Sequence, residues 1–162
     1  MVETGGTPIR VTPAYPHWPA VLRLILDAFA FMEARIDPPS SAHRLTVAEM
    51  AAQAQTGAVW VIEDNTTPIA CLFAKPKADA LYIGKLAVAQ SHRGHGLARR
   101  LIAEAQAEAR ARTLPRLELQ TRIELAENHA AFARLGFTKI GENAHPGYDH
   151  PTSITMSRAL TP

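Results

Sequence analysis

Arg93-Gly94-His95-Gly96-Leu97-Ala98 is the stretch of this 162-residue sequence that decides the fold. It follows an apolar run that ends in Leu86-Ala87-Val88, and it opens a segment rich in Ala, Glu, Gln, Arg and Leu. Those residue types favour a helix, so we predict a strand, a turn at residues 93–98 and a helix over residues 97–112. The two glycines let the backbone turn tightly and approach a ligand closely.

This glycine turn (residues 93–98) has the features of an anion site. The N–H groups and positive dipole of the following helix favour a phosphate, and Arg93, Arg99 and Arg100 offer charge-assisted hydrogen bonds. A Walker A loop is excluded because no Gly-Lys-Ser/Thr opens the helix. A dinucleotide fingerprint is excluded because Arg99 stands where glycine or alanine is required. The alternative is a turn in which glycine serves geometry alone.

Working outward from the glycine turn, the spacing of apolar residues predicts a mixed α/β domain with the order β-α-α-β-β-β-α-β-α-β-β. A helix that begins at the N-cap Thr46 carries Glu49 three residues on, the pattern of a capping box. The predicted strands lie at residues 9–11, 59–62, 69–73, 81–88, 117–121, 137–141 and 153–158. The predicted helices lie at residues 18–31, 46–57, 97–112 and 127–135.

Composition and charge limit the class of protein. With 47% hydrophobic and 20% charged residues, we expect one globular domain over residues 8–162, after a mobile tail at residues 1–7. A net charge of +2, from 17 basic and 15 acidic residues, argues against binding to nucleic acid. We expect no membrane span and no secretory signal, and a single cysteine, Cys71, fits a cytoplasmic location. The seven histidines lack metal-ligand spacing, so no metal is expected.

Two segments of the chain resemble the GNAT superfamily of N-acetyltransferases. The family signature Gln/Arg-x-x-Gly-x-Gly/Ala matches the glycine turn, and residues 127–137 resemble the family's C-terminal Asn, Ala and Leu-Gly-Phe region. The resemblance covers essentially residues 8–160 and implies a mostly antiparallel central sheet flanked by helices. It also implies transfer of an acetyl group from acetyl-CoA to an amine of a small molecule or peptide.

The resemblance implies where acetyl-CoA binds. The pyrophosphate is expected on the amides of the glycine turn and the pantetheine along the fourth strand, with the thioester between two splayed strands. A backbone N–H near Ala87 or Val88 then holds the thioester oxygen as negative charge develops. Asn128 resembles an asparagine that contacts pantetheine, although the N-cap of a short helix explains it equally well. The expected acetyl-CoA-binding residues are Leu86, Ala87, Val88, Arg93, Gly94, His95, Gly96, Leu97, Ala98, Arg99, Asn128 and Phe132.

Two positions depart from the family pattern. Phe132 stands where many relatives have a tyrosine that protonates the CoA thiolate, and Tyr82 stands nearest to the position of a glutamate base. The polar loop at residues 145–151 offers substitutes, since a histidine that titrates near about 6.5 suits removal of a proton from an ammonium group. The candidate catalytic residues are Tyr148, His145 and Tyr82, with Asp149 and His150 nearby. The alternative is a loop that is only a solvated connection.

The resemblance also implies an acceptor pocket lined by the first helix, the loop after it and the segment before the last strand. The expected acceptor-binding residues are Phe29, Met32, Arg35, Asp37 and Tyr148. Because no credible nucleophile is present, we expect direct attack in a ternary complex rather than an acetyl-enzyme. Two alternatives stay open: a non-catalytic acyl-CoA-binding sensor of the same fold, and a phosphate- or nucleotide-binding module unrelated to CoA. The chain is expected to be a monomer or a homodimer.

Overall fold

The computed structural model of the chain describes residues 6–161. Within this range, helices and strands follow the predicted order. The helices are α1 (Trp18–Phe29), α2 (Val47–Thr56), α3 (Leu97–Ala111) and α4 (Ala126–Arg134). The strands are β1 (Ile9–Arg10), β2 (Ala58–Asp64), β3 (Thr67–Pro76), β4 (Leu81–Val88), β5 (Arg116–Arg122), β6 (Thr138–Asn143) and β7 (Ser153–Ala159).

The predicted mobile tail at residues 1–7 lies largely outside the described part of the chain, which begins at Gly6. The Gly6 N–H donates to the carbonyl oxygen of Glu63 at 3.1 Å, so the first described residue lies beside β2. None of the helices in residues 6–161 has the length and apolar character needed to cross a membrane.

The seven strands form one sheet in the order β1-β2-β3-β4-β5-β7-β6. Every neighbouring pair is antiparallel except β4 and β5, which confirms the mostly antiparallel sheet. The parallel pair is short, because residues 81–83 of β4 match residues 117–119 of β5 and no further residues pair. The two strands therefore diverge and leave a V-shaped opening in the middle of the sheet.

Helices cover both faces of the sheet. On one face α3 buries an apolar stripe that consists of Leu97, Leu101, Ala105 and Ala109. On the other face α1 and α2 contribute Val21, Ile25 and Met50, all fully buried, to a second core that includes Phe73 of β3. β3 and β4, which form one wall of the V-shaped opening, are therefore packed on both faces.

The local signals of α2 act as predicted. The Thr46 hydroxyl accepts a hydrogen bond from the Glu49 N–H at 3.2 Å, and the Glu49 carboxylate accepts one from the Thr46 N–H at 3.3 Å. Such a cap contributes about 1 kcal/mol to stability. The helix ends at Gly57, as expected, where the chain enters β2. α1 ends at Phe29 rather than residue 31, because residues 30–32 tighten into a 3₁₀ turn.

Replacing Gly57 with alanine is expected to destabilise the fold. The new Cβ would lie 2.3 Å from the carbonyl oxygen of Ala74, so backbone must shift. Overpacking of this kind costs about 1–3 kcal/mol in the free energy of unfolding, which urea denaturation measures. Gly141→Ala is the matched control, because its Cβ meets nothing within 4 Å. Equal destabilisation of the two variants would contradict this packing.

Candidate active site

The glycine turn has the backbone conformation that its sequence predicts. Gly94 and Gly96 have φ angles of 82° and 77°, in the left-handed region that glycine adopts readily. A Cβ at either position would meet no atom within 4 Å, so the space beside the backbone is open. Gly96 immediately precedes α3, and the first N–H groups of the helix therefore open onto this space.

The side chains around the glycine turn fall into two groups. Arg93, His95 and Arg99 are exposed and can reach a ligand on the turn. Leu97 is 2% exposed and belongs to the core, and Ala98 is half-buried. These last two residues can therefore serve an anion mainly through their backbone N–H groups.

A β-bulge interrupts β4 where β5 leaves it. Phe73 pairs with Lys85 and Ala74 pairs with Ile83, so Gly84 is an extra residue in the strand. The bulge reverses which side chains face the α3 core, from Ile83 before it to Leu86 after it. This bulge was not predicted, although a glycine and a lysine inside an apolar strand run were visible signs of it.

Beyond the bulge, β4 turns alternate N–H groups toward the V-shaped opening. The Ala89 N–H donates to the carbonyl oxygen of Ile69 at 2.8 Å, on the β3 side. Because N–H directions alternate along a strand, the N–H groups of Leu86 and Val88 point to the opposite edge, where β5 has diverged. By the same alternation the Ala87 N–H points toward β3. The Ala87 side chain is 2% exposed. Of the two N–H groups predicted for an oxyanion, that of Val88 lies at the open edge.

A cavity of about 710 Å³ occupies the V-shaped opening. It brings together residues from both sides of the sheet and from both halves of the chain. The predicted site residues that line it are Phe29, Met32, Tyr82, Leu86, Asn128, Phe132, His145 and Tyr148. Residues that line it without having been predicted include Arg44, Gly84, Lys85, Gln120 and Arg122. A charged residue in an apolar strand was a signal for Lys85, whereas nothing local marked Arg122.

The loop that follows α1 (residues 33–46) is tied across the cavity. The Tyr148 hydroxyl donates to Asp37 Oδ1 at 2.5 Å, and this bond raises the pKa of Tyr148. The Arg122 guanidinium donates to the carbonyl oxygens of Pro38 and Pro39 at 2.7 and 3.1 Å. In this arrangement the Tyr148 hydroxyl is engaged by the loop.

Two predicted acceptor-binding residues, Arg35 and Asp37, contact other parts of the protein and do not line the cavity. The Arg35 guanidinium lies 2.8 Å from a carboxylate oxygen of Glu127 on α4. The Asp37 N–H donates to Glu124 Oε2 at 3.1 Å, and its carboxylate accepts from Tyr148. Their observed contacts hold the loop against α4 and the segment before it.

His145 has the protonation state that a proton acceptor needs. Burial and then the charge of Arg122 lower the pKa of its imidazole from the usual value, so the ring is neutral at pH 7. Its Nδ1 makes a hydrogen bond with the Thr152 hydroxyl, which also accepts from the His145 N–H at 2.9 Å. Because Nδ1 is hydrogen-bonded, Nε2 is the ring nitrogen that can exchange a proton with a ligand.

Tyr82 and Phe132 face the cavity with little acid–base capacity. Burial, and then the charge of Glu118, raise the pKa of Tyr82, so its hydroxyl keeps its proton at neutral pH. The ammonium group of Lys77 lies 4.3 Å from the centre of the Tyr82 ring. The Phe132 ring packs edge-on against Phe137, with centres 6.1 Å apart.

A cysteine nucleophile is excluded by position. Cys71 is fully buried in the core between β3 and α1, and burial raises the pKa of its thiol to about 12. At neutral pH the reactive thiolate is therefore essentially absent. Within residues 6–161, no group of three or more His, Cys, Asp and Glu side chains is arranged to hold a metal ion.

Comparisons with known proteins agree on one family. Residues 18–137 match the model of the acetyltransferase (GNAT) family. The solved structure of nourseothricin acetyltransferase is 25% identical, with a TM-score of 0.58 over 64% of this chain, and this chain covers 65% of its length.

Two other solved structures resemble this chain over nearly its whole length. The PaiA N-acetyltransferase from Thermoplasma acidophilum, solved in complex with coenzyme A, has a TM-score of 0.76 at 9% identity over 96% of this chain and 100% of its own. An acetyltransferase from Streptococcus agalactiae has a TM-score of 0.75 at 19% identity over 94% of this chain and 97% of its own. At sequence identities of 9% and 19%, the similarity shows a shared fold and does not show a shared activity.

The imidazole of His145 is expected to titrate below its ordinary pKa of about 6.5. Burial disfavours the charged ring, and the nearby Arg122 cation disfavours it further. An NMR titration of the His145 ring protons measures the midpoint, and Arg122→Gln should move it upward. A midpoint at or above the ordinary value in the unsubstituted protein would contradict this environment.

Proposed function

Because this chain belongs to the acetyltransferase (GNAT) family, we propose that it moves the acetyl group of acetyl-CoA to an amine of a small molecule or peptide by direct attack, with both substrates bound together. The observation that carries this proposal is the free edge of β4, which faces a cavity and leads directly into the glycine turn. The pantetheine arm of acetyl-CoA is extended, carries amides and leads to phosphates, so it fits a path along β4 to the glycine turn.

The residues along this path fit acetyl-CoA. The Val88 N–H is available to an amide carbonyl of pantetheine, as in an added strand. The open backbone at Gly94 and Gly96 and the start of α3 suit the pyrophosphate, with Arg93 and Arg99 as exposed cations. Bound there, acetyl-CoA supplies an activated thioester within the V-shaped opening.

Proton transfer is assigned to His145 in this proposal. Its neutral ring lines the cavity and can take a proton from the attacking amine, directly or through water. The Leu86 N–H, rather than the Val88 N–H, donates to the acetyl oxygen as negative charge develops on it, because Leu86 lines the cavity and Val88 lies nearer to the glycine turn. Both roles use groups that are already in position before substrates arrive, which lowers the cost of reorganisation.

The leaving thiolate needs no proton donor from this chain. Phe132 cannot donate a proton, but a thiol has an ordinary pKa of about 8.5, so its anion is a tolerable leaving group. Lys85 lines the same cavity, and a cation there favours the anionic thiolate. The absence of a tyrosine at position 132 is therefore compatible with turnover.

Release of CoA from acetyl-CoA is expected only when an amine is added. We expect no acetylated protein by intact mass spectrometry after incubation with acetyl-CoA alone, and Cys71→Ala should keep its activity, because Cys71 is buried and protonated. A colorimetric thiol assay over an amine panel measures turnover. A stable acetyl-enzyme would contradict direct attack. Acetyl-CoA binding without CoA release for any amine would favour the non-catalytic sensor.

A further inference from the structure

The charged side chains that line the cavity are all basic. They are Arg44, Lys85 and Arg122, accompanied by the imidazoles of His43 and His145. No aspartate or glutamate within the described residues lines it. The carboxylates near these cations do not line the cavity. Asp37 accepts from Tyr148, and Glu124 accepts from the Asp37 N–H. Glu49, whose charge acts on Lys85, accepts from the Thr46 N–H at the start of α2. A ligand in the cavity therefore meets cationic groups.

Arg122 is held in a fixed position at the end of β5. Its guanidinium donates to the carbonyl oxygens of Pro38 and Pro39, which also line the cavity. A guanidinium has five N–H donors, so others stay available to a ligand. Its two bonded partners are neutral, and Asp37 and Glu124, which offset part of its charge, do not line the cavity. The fork is thus oriented before an anion arrives.

From this arrangement we infer that the acceptor is an amine that also carries a carboxylate, as an amino acid does, and that Arg122 binds the carboxylate. A carboxylate matches the planar guanidinium fork through two parallel hydrogen bonds. Arg44 and Lys85 line the same cavity and add attraction of the same sign. The inference rests on the proposed function, because it assigns the acceptor of that reaction.

The lining also argues against acceptors that carry several positive charges. A polyamine or an aminoglycoside would bring further ammonium groups toward Arg44, Lys85 and Arg122, where like charges repel. For a single amine the same cations have a useful effect, because they favour its neutral form. The neutral amine is the form that attacks the thioester, and the cavity offers no carboxylate base to generate it.

The test compares CoA release for acceptors of similar length that carry different charges: an amino acid, its carboxamide and a diamine. We expect kcat/KM for the acid to exceed that for the carboxamide by about tenfold or more, because a hydrogen bond to a charged group usually contributes that much to binding. Arg122→Gln should abolish this preference, mainly by raising KM for the acid. Glutamine can still donate to a proline carbonyl, so the variant removes charge with less disturbance of the loop.

Arg35→Gln is the matched control. Arg35 ties the same loop through Glu127 but does not line the cavity, so this variant should keep the preference for the acid even where rates fall. Equal kcat/KM for acid and carboxamide, a faster diamine, or a preference unchanged by Arg122→Gln would each overturn the inference and leave the proposed function standing. Failure of every amine to release CoA, with acetyl-CoA still raising Tm, would overturn both.

Discussion

β4 and β5 run parallel but pair over only three residues each, at 81–83 and 117–119, and the backbone groups freed where they separate need other partners. In a closed sheet these N–H and C=O groups would bond to the next strand. Here they face a cavity, so water or a strand-like ligand must satisfy them. The bulge at Gly84 marks the point of separation, and β3 and β4 are packed between two cores.

The glycine turn extends the same path. Because β4 runs directly into residues 93–98 and then α3, a ligand along the open edge of β4 arrives at the N–H groups of a helix start. In the proposed function, consecutive parts of one chain segment bind an extended arm and its anionic end. The cavity is enclosed by later parts of the chain. α4 supplies Asn128 and Phe132, and the loop before β7 supplies His145 and Tyr148.

The features predicted from sequence are those that depend on local chemistry. The capping box at Thr46, the helix that follows the glycine turn and the tight turn at Gly94 and Gly96 each follow from residues a few positions apart. The site residues that were missed depend on distant contacts. Arg122 and Pro38 are 84 positions apart, and Tyr148 and Asp37 are 111 apart, so no local spacing could join them. For the same reason Arg35 and Asp37, expected to meet the acceptor, were not foreseen as ties between the loop and the β5–α4 region.

The assignment of this site depends on the binding of acetyl-CoA along β4 and the glycine turn. Thermal unfolding with acetyl-CoA, CoA or ATP present at saturating concentrations measures it most directly. A ligand at about 100 times its dissociation constant adds roughly 2.7 kcal/mol to the free energy of unfolding. We expect a clear rise in Tm with acetyl-CoA and CoA and none with ATP. No rise with either CoA species would mean that the glycine turn is architectural, and it would contradict the assignment of the site.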